Sequence, residues 1–199
     1  MDYYRIIADS FQTTIESIAM SVDELVMPIE RASQLIVDCL LGEGKIIACG
    51  VGRDAALAQL FVSHLQNRFE QERPALPAMT LSSEAAAASA VANSTGFNDV
   101  YARQLRSLGK PEDILMCIHS GDGAAPLIRT LQAAHERNMS VVLLSNTQET
   151  ELTSLVRAED AALQINSDSG ARTLELHLMI LNTLCDLLDR QLFPSENLD

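Results

Sequence analysis

Two segments of this chain share one local plan: an apolar run, a glycine-rich loop, then a helical pattern. The first is Lys45-Ile46-Ile47-Ala48-Cys49-Gly50-Val51-Gly52-Arg53-Asp54, leading into an alanine-rich stretch from about Ala55 to Arg68. The second is Ile114-Leu115-Met116-Cys117-Ile118-His119-Ser120-Gly121-Asp122-Gly123, leading into a helical pattern from about Ala125. Strand–loop–helix junctions of this kind restrict a chain to alternating α/β folds. Free N–H groups at the helix starts attract anions, and glycine lets a ligand come close to the backbone. Here each junction carries an acid, Asp54 or Asp122, where a phosphate would sit. A carboxylate there can cap its own helix or point elsewhere, and it would repel an incoming phosphate. Gly50, Val51, Gly52, Arg53, Asp54, His119, Ser120, Gly121 and Asp122 therefore read as remnants of two phosphate loops.

The rest of the chain continues the alternation. Strands are expected at 45–49, 77–81, 114–118, 140–144 and 161–165. Helices are expected at about 55–69, from Ser83 or Glu84 to just before Asn93, at 99–107, at 125–137 and at 171–192, with a short turn at 152–156. Residues 1–41 read as helices. Pro28 lies near a helix start, and Ile29, Ala32, Leu35, Ile36, Cys39 and Leu40 follow at helical spacing. The expectation is one domain over 1–199, with N-terminal helices over 1–41 and an αβα core with a C-terminal helix over 42–199. Its parallel sheet is covered on both faces, and ligands bind outside the carboxyl ends of the strands.

Charge and composition exclude several classes. A formal net charge of −13 argues against direct contact with a nucleic-acid backbone. No apolar run reaches the ~18 residues of a membrane span. Met1-Asp2-Tyr3-Tyr4-Arg5 lacks the basic start and apolar stretch of a signal peptide, so the expected location is cytoplasmic. Cys39, Cys49, Cys117 and Cys185 sit in apolar segments without metal-like spacing and read as buried, reduced thiols. The last helix carries Leu174, Leu176, Leu178, Ile180, Leu181, Leu184, Leu187 and Leu188, too wide an apolar surface for a helix on the outside of a monomer. It lies wholly inside the domain or packs in a subunit interface; a homo-oligomer is favoured.

These loops resemble those of the sugar isomerase (SIS) domain and, within it, the phosphoheptose isomerase group. The resemblance is carried by Gly44–Gly50, Asn67–Pro74, Gly96–Tyr101 and Leu184–Pro194. It implies a three-layer, flavodoxin-like αβα fold with a five-stranded parallel sheet, and a homotetramer with active sites between subunits. Isomerases of the group have a Gly-Asn-Gly-Gly-Ser loop where this chain has Gly50-Val51-Gly52-Arg53-Asp54. They have a Ser-Thr-Ser-Gly-Asn-Ser loop where it has His119-Ser120-Gly121-Asp122-Gly123-Ala124, and a Gly-Asn-Asp turn where it has Ala92-Asn93-Ser94. Their histidine and glutamate for metal binding and proton transfer fall on Leu60 and His64. A glutamine and a histidine of the last helix fall on Leu174 and Asn182, whereas Glu175 and His177 match.

Aldose–ketose isomerisation moves a proton between adjacent carbons and needs a base, an acid and a group that polarises the carbonyl. With leucine at two ligand positions and His64 and Asn182 at the proton-transfer positions, the expectation is no catalytic residue, no metal or other cofactor, and no isomerase activity. A subgroup of the family, the DnaA initiator-associating (DiaA) proteins, shares Asn182, Cys185–Asp189 and Leu192-Phe193-Pro194. That likeness implies an exposed Leu192-Phe193 patch for a DnaA-type initiator. The leading expectation is thus an inactive, DnaA-binding regulator of chromosomal replication initiation. The alternatives are a phosphoheptose isomerase, converting sedoheptulose 7-phosphate to glycero-manno-heptose 7-phosphate, and a sugar-phosphate sensor.

Individual residues keep two readings. Arg53 is a new anion site or, favoured, a surface arginine beside its own Asp54. His64 is a replacement base or, favoured, a solvated histidine. Leu192-Phe193 is an exposed patch or a packed terminus. The spacing of His64, His119 and His177 does not suggest a metal cluster. Glu175 and His177, two apart on a helix, point to different faces.

Overall fold

The computed structural model describes residues 1–81, 85–121 and 123–194. Five strands, β1 (Ile46–Gly50), β2 (Ala78–Thr80), β3 (Ile114–Ile118), β4 (Ser140–Asn146) and β5 (Ala161–Ile165), form one all-parallel sheet in the order β2-β1-β3-β4-β5. This is the doubly wound order expected of a flavodoxin-like fold. All five residues of β1 and of β3 are buried. Continuous apolar runs are what strands buried on both faces require.

The alternation of side chains along β1 and β3 feeds two cores. Ile46, Ala48, Ile114, Met116 and Ile118 join the layer of α1 (Tyr3–Leu41), α2 (Arg53–Gln66) and α7 (Gly170–Leu192). Ile47, Cys49, Leu115 and Cys117 join the opposite layer, built mainly on α4 (Val100–Leu108) and α5 (Ala125–Glu136). Two smaller helices, α3 (Ala85–Ser94) and α6 (Thr150–Thr153), complete the set. The expected start of α3 at Ser83 or Glu84 lies outside the described residues. All four cysteines are free and buried, and burial pushes Cys39 up to about 11 and Cys185 up to about 12.

The N-terminal region differs from expectation: residues 3–41 are one helix that runs through Pro28. Proline at this position removes a single backbone donor. The half after it is held by buried Ala32, Ser33, Ile36 and Val37, so packing outweighs that loss. The half before it extends the helix to a length of ~58 Å. It carries Ile6, Ile7, Phe11, Ile15 and Val22 exposed to solvent.

Two ion pairs tie segments together. Asp113 accepts from the backbone N–H of Lys45 and of Lys110 and pairs with the Lys45 ammonium at 2.5 Å. Arg73 and Asp189, both buried, pair at 2.5 Å. The same guanidinium donates to the carbonyls of His64 and Leu65 at the end of α2, so one side chain closes α2 and docks it to α7. We expect Arg73→Ala to lower the unfolding free energy by about 3–5 kcal/mol, because it leaves the Asp189 carboxylate buried without its cation. Urea denaturation followed by circular dichroism measures this.

Candidate functional site

The two glycine loops emerge side by side, at the carboxyl ends of β1 and β3, where the strand order reverses. Crevices at such points hold the ligands of doubly wound folds. Asp54 is buried at the start of α2, and its carboxylate accepts the backbone N–H of Ser120 at 2.9 Å and the Ser120 hydroxyl at 2.6 Å. Arg53 Nε–H donates to the same hydroxyl oxygen at 3.1 Å. Asp54 therefore does not cap its own helix. Gly52 occupies the cap position with φ 60° and no side-chain bond, while the Asp54 carboxylate bridges to the other loop. Gly50 permits this close approach, since a Cβ there would lie 2.6 Å from the Asp54 backbone. Arg53 is likewise bonded to Ser120 rather than paired with its own Asp54. From the opposite face the buried Tyr101 hydroxyl donates to the Gly50 carbonyl at 2.9 Å. Asp122 lies outside the described residues.

A polar cleft of about 400 Å³ opens over these loops, lined by Arg53, Ser120, Gly121, Asn146, Gln148, Glu149, Ser167, Asp168 and Gly170. Glu149 caps α6, accepting the N–H groups of Glu151 and Leu152, and its other oxygen stands 3.3 Å from Nε2 of buried His119. Behind it, fully buried His177 contacts the Ser145 carbonyl at 3.3 Å through Nε2. Burial holds this imidazole well below its ordinary value, at about 4, against the opposing pull of its bond to Ser145 and of the Asp54 charge. Glu175 lies on another face of α7, paired with Arg172 at 3.0 Å and accepting from Thr14 of α1.

Sequence reasoning singled out the loops after β1 and β3. It missed the contributions of the segments after β4 and β5, namely Asn146, Gln148, Glu149, Ser167, Asp168 and Gly170. Their only signal is position beyond the carboxyl end of a strand. The proton-transfer positions lie apart from this cleft. Leu60 is exposed on α2, and His64 is half-buried and edge-on to Phe69, with ring centres 5.2 Å apart. Leu174 packs half-buried on the core, and Asn182 is half-buried on α7. Leucines at 60 and 174 bring no donor atom, so the residues at these four positions do not form the metal site the resemblance implies. Among the described residues no group of three His, Cys, Asp or Glu side chains is placed to hold a metal ion.

The fold is that of a SIS domain, and the SIS domain family model matches residues 10–146. The chain belongs to that family and, within it, to the phosphoheptose isomerase group. It is 40% identical over 195 residues to the phosphoheptose isomerase of Chromohalobacter salexigens, covering 98% of this chain and 99% of the relative. It is 37% identical to that of Coxiella burnetii, with 98% of each covered. The structure of a phosphoheptose isomerase from Francisella tularensis superposes with a TM-score of 0.90 at 33% identity, covering 96% of this chain and all of that one.

These relatives correct the expectation of an inactive, DnaA-binding regulator of replication initiation: likeness to phosphoheptose isomerases spans essentially the whole chain. The C-terminal likeness that suggested the regulator has a packing explanation. Leu192 and Phe193 are half-buried against the larger core, and Gln71 donates to the Phe193 carbonyl at 3.4 Å. The lean away from enzyme activity falls with it. Among the described residues no helix is long and apolar enough to cross a membrane.

The depressed His177 value sets a pH dependence. Above pH 6.5 the imidazole is neutral folded and unfolded, so it contributes no slope. As pH falls from 6.5 toward about 4, the unfolded chain binds a proton that the folded chain refuses, and stability is lost, by roughly 3 kcal/mol in all. We expect His177→Gln to flatten the unfolding free energy between pH 6.5 and 4 relative to wild type, measured by urea denaturation at each pH.

Proposed function

We propose that this protein is an aldose–ketose isomerase of the phosphoheptose isomerase type, acting on a phosphorylated sugar. The observation that carries the reading is the 37–40% identity to phosphoheptose isomerases over the whole chain. The proton between adjacent carbons is assigned to His64. It occupies the family's proton-transfer position, its ring has no hydrogen-bond partner among the described residues, and an imidazole can both accept and donate a proton. Asn182 can donate a hydrogen bond to the carbonyl oxygen but cannot exchange a proton. Buried thiols suit a reducing compartment, and we place the protein in the cytoplasm.

The working unit we propose is a homo-oligomer, with a tetramer as the family-level expectation. The exposed apolar row on α1 supports this, as does an adjoining groove of about 700 Å³ lined by Val22, Leu25, Val26, Ile29 and Leu187. Arg53 and His64 are also eleven residues apart on α2, about 16 Å along its axis. A site that unites the polar cleft with a proton-transfer residue therefore takes that residue from a second copy. We expect Ile15→Asp to reduce the molar mass in light scattering below that of the wild type; an unchanged mass would show that α1 is not the contact.

Turnover of sedoheptulose 7-phosphate by the purified protein tests the reaction, and His64→Ala should lower kcat by about 100-fold or more. Apolar Leu60 and Leu174 favour one second reading, a sensor that binds the sugar phosphate without turnover. Binding with no conversion by the wild type would establish the sensor and overturn the isomerase.

A further inference from the structure

We propose that α1 is a self-complementary pairing helix: the free half of one copy lies antiparallel in the α1–α7 groove of a second copy, with the two-fold axis at Ile18; this pairing rests on the homo-oligomer reading above and gives it a direction and a register. Ile7, Phe11, Ile15, Ile18, Val22, Val26 and Ile29 follow one another at spacings of 4, 4, 3, 4, 4 and 3 residues. On a helix they form one stripe, about 33 Å long. The charged residues Arg5, Asp9, Glu16, Asp23 and Glu24 fall outside it. The two halves of the stripe differ in what they meet. Val22, Val26 and Ile29 form one wall of the apolar groove of about 700 Å³, and Met179 and Leu187 of α7 form the other. Ile7, Phe11 and Ile15 stand exposed. The two helices run in the same direction: Arg172 donates to the Ser10 carbonyl at 3.2 Å, and Gln191 donates to the Ser33 hydroxyl at 3.4 Å. The Arg172 contact holds the free half in line with α7 before any partner arrives.

The stripe reads nearly the same from either end. Counted from Ile18, Ile15 lies 3 residues away and Val22 lies 4, Phe11 lies 7 and Val26 lies 8, and Ile7 and Ile29 each lie 11. An isologous contact needs this property, because each surface must fit its own copy turned about a two-fold axis. Turning one α1 onto another about Ile18 sets Ile15, Phe11 and Ile7 of the first against Val22, Val26 and Ile29 of the second, and the reverse. Each free half then fills the other copy's groove, and the contact closes with both covered. A parallel pairing would set exposed half against exposed half and leave both grooves open. A lipid surface is the other apolar partner such a stripe could meet. Residues 1–30 hold one cation, Arg5, against Asp2, Asp9, Glu16, Asp23, Glu24 and Glu30, and so lack the basic face of helices that lie on membranes. The charge pattern favours a second copy.

Disulfide mapping of the full-length protein tests this, because all four native cysteines are buried and an introduced thiol on α1 reports alone. A Phe11→Cys/Val26→Cys double variant is oxidised with oxidised glutathione and its peptides are identified by mass spectrometry. Positions 11 and 26 lie about 22 Å apart along one helix, so a link between them forms only between copies. That mixed link should dominate. Links of 11 to 11 and 26 to 26 in its place would show a parallel pairing and overturn the register. Ile18→Cys alone should link to its own copy at the axis. Phe11→Asp should raise the dissociation constant of the oligomer at least about tenfold in sedimentation equilibrium, since each pair loses two buried rings. Circular dichroism checks that each variant is folded. An oligomeric wild type whose variants form neither the mixed link nor the one at position 18 overturns this pairing and leaves the homo-oligomer reading standing. A monomeric wild type overturns both, and if that monomer sediments with phosphatidylcholine vesicles the stripe faces lipid instead.

Discussion

One buried carboxylate joins the two loops on which the site is built. Asp54 comes from the first glycine loop and accepts both the backbone N–H and the hydroxyl of Ser120 in the second. A buried carboxylate without donors would be too costly to keep. This one has two, along with the positive end of the α2 dipole. The loops after β1 and β3 are consequently a single unit, with Tyr101 bracing it from the other core. The orientation of Arg53 and the shape of the cleft mouth follow from that joint. The opening junctions look like phosphate loops spoiled by acids. In the folded protein the first acid is spent internally, and the neighbouring arginine is the group left facing the cleft.

Much of the fold was legible because its signals are local. Five strands fall within a few residues of the expected ranges, since doubly covered parallel strands leave continuous apolar runs such as Ile46–Cys49 and Ile114–Ile118. The glycine loops marked the strand ends. What was illegible depends on contacts distant in sequence. Nothing near Asp54 says that it will bond Ser120, 66 positions away. Nothing near Arg53 reveals that Gly121 and Gly170 will leave room for its guanidinium. Pro28 suggested a helix start, yet α1 continues because its second half is anchored by burial. Leu192 and Phe193 offered two outcomes to the sequence, and in the structure they are half-buried against the core.

The functional expectation failed for a related reason. Absence of individual family side chains at Leu60, Leu174 and Asn182 was weighed as loss of the whole activity. A site assembled from the ends of four strands and from two helices is not a list of independent parts. Asp54 stands where the resemblance implies a serine, and His64 where it implies a glutamate. These changes leave the αβα frame intact, and whole-length similarity reports on that frame. Leu60 and Leu174 remain the strongest departures, because no neighbouring described group supplies the donor atoms they lack.

Charge sets a further constraint on the site. A net charge of −13 opposes the approach of any phosphate at long range. Any attraction is therefore local, and Arg53, whose Nε–H donates to the Ser120 hydroxyl, is the cation lining the cleft. Salt weakens the two effects to different extents. At physiological ionic strength, where the screening length is about 8 Å, the distant repulsion is largely removed, while a direct contact to the guanidinium is screened less. The acidic surface and an arginine lining the cleft are thus compatible, because the first acts at long range and the second only in contact.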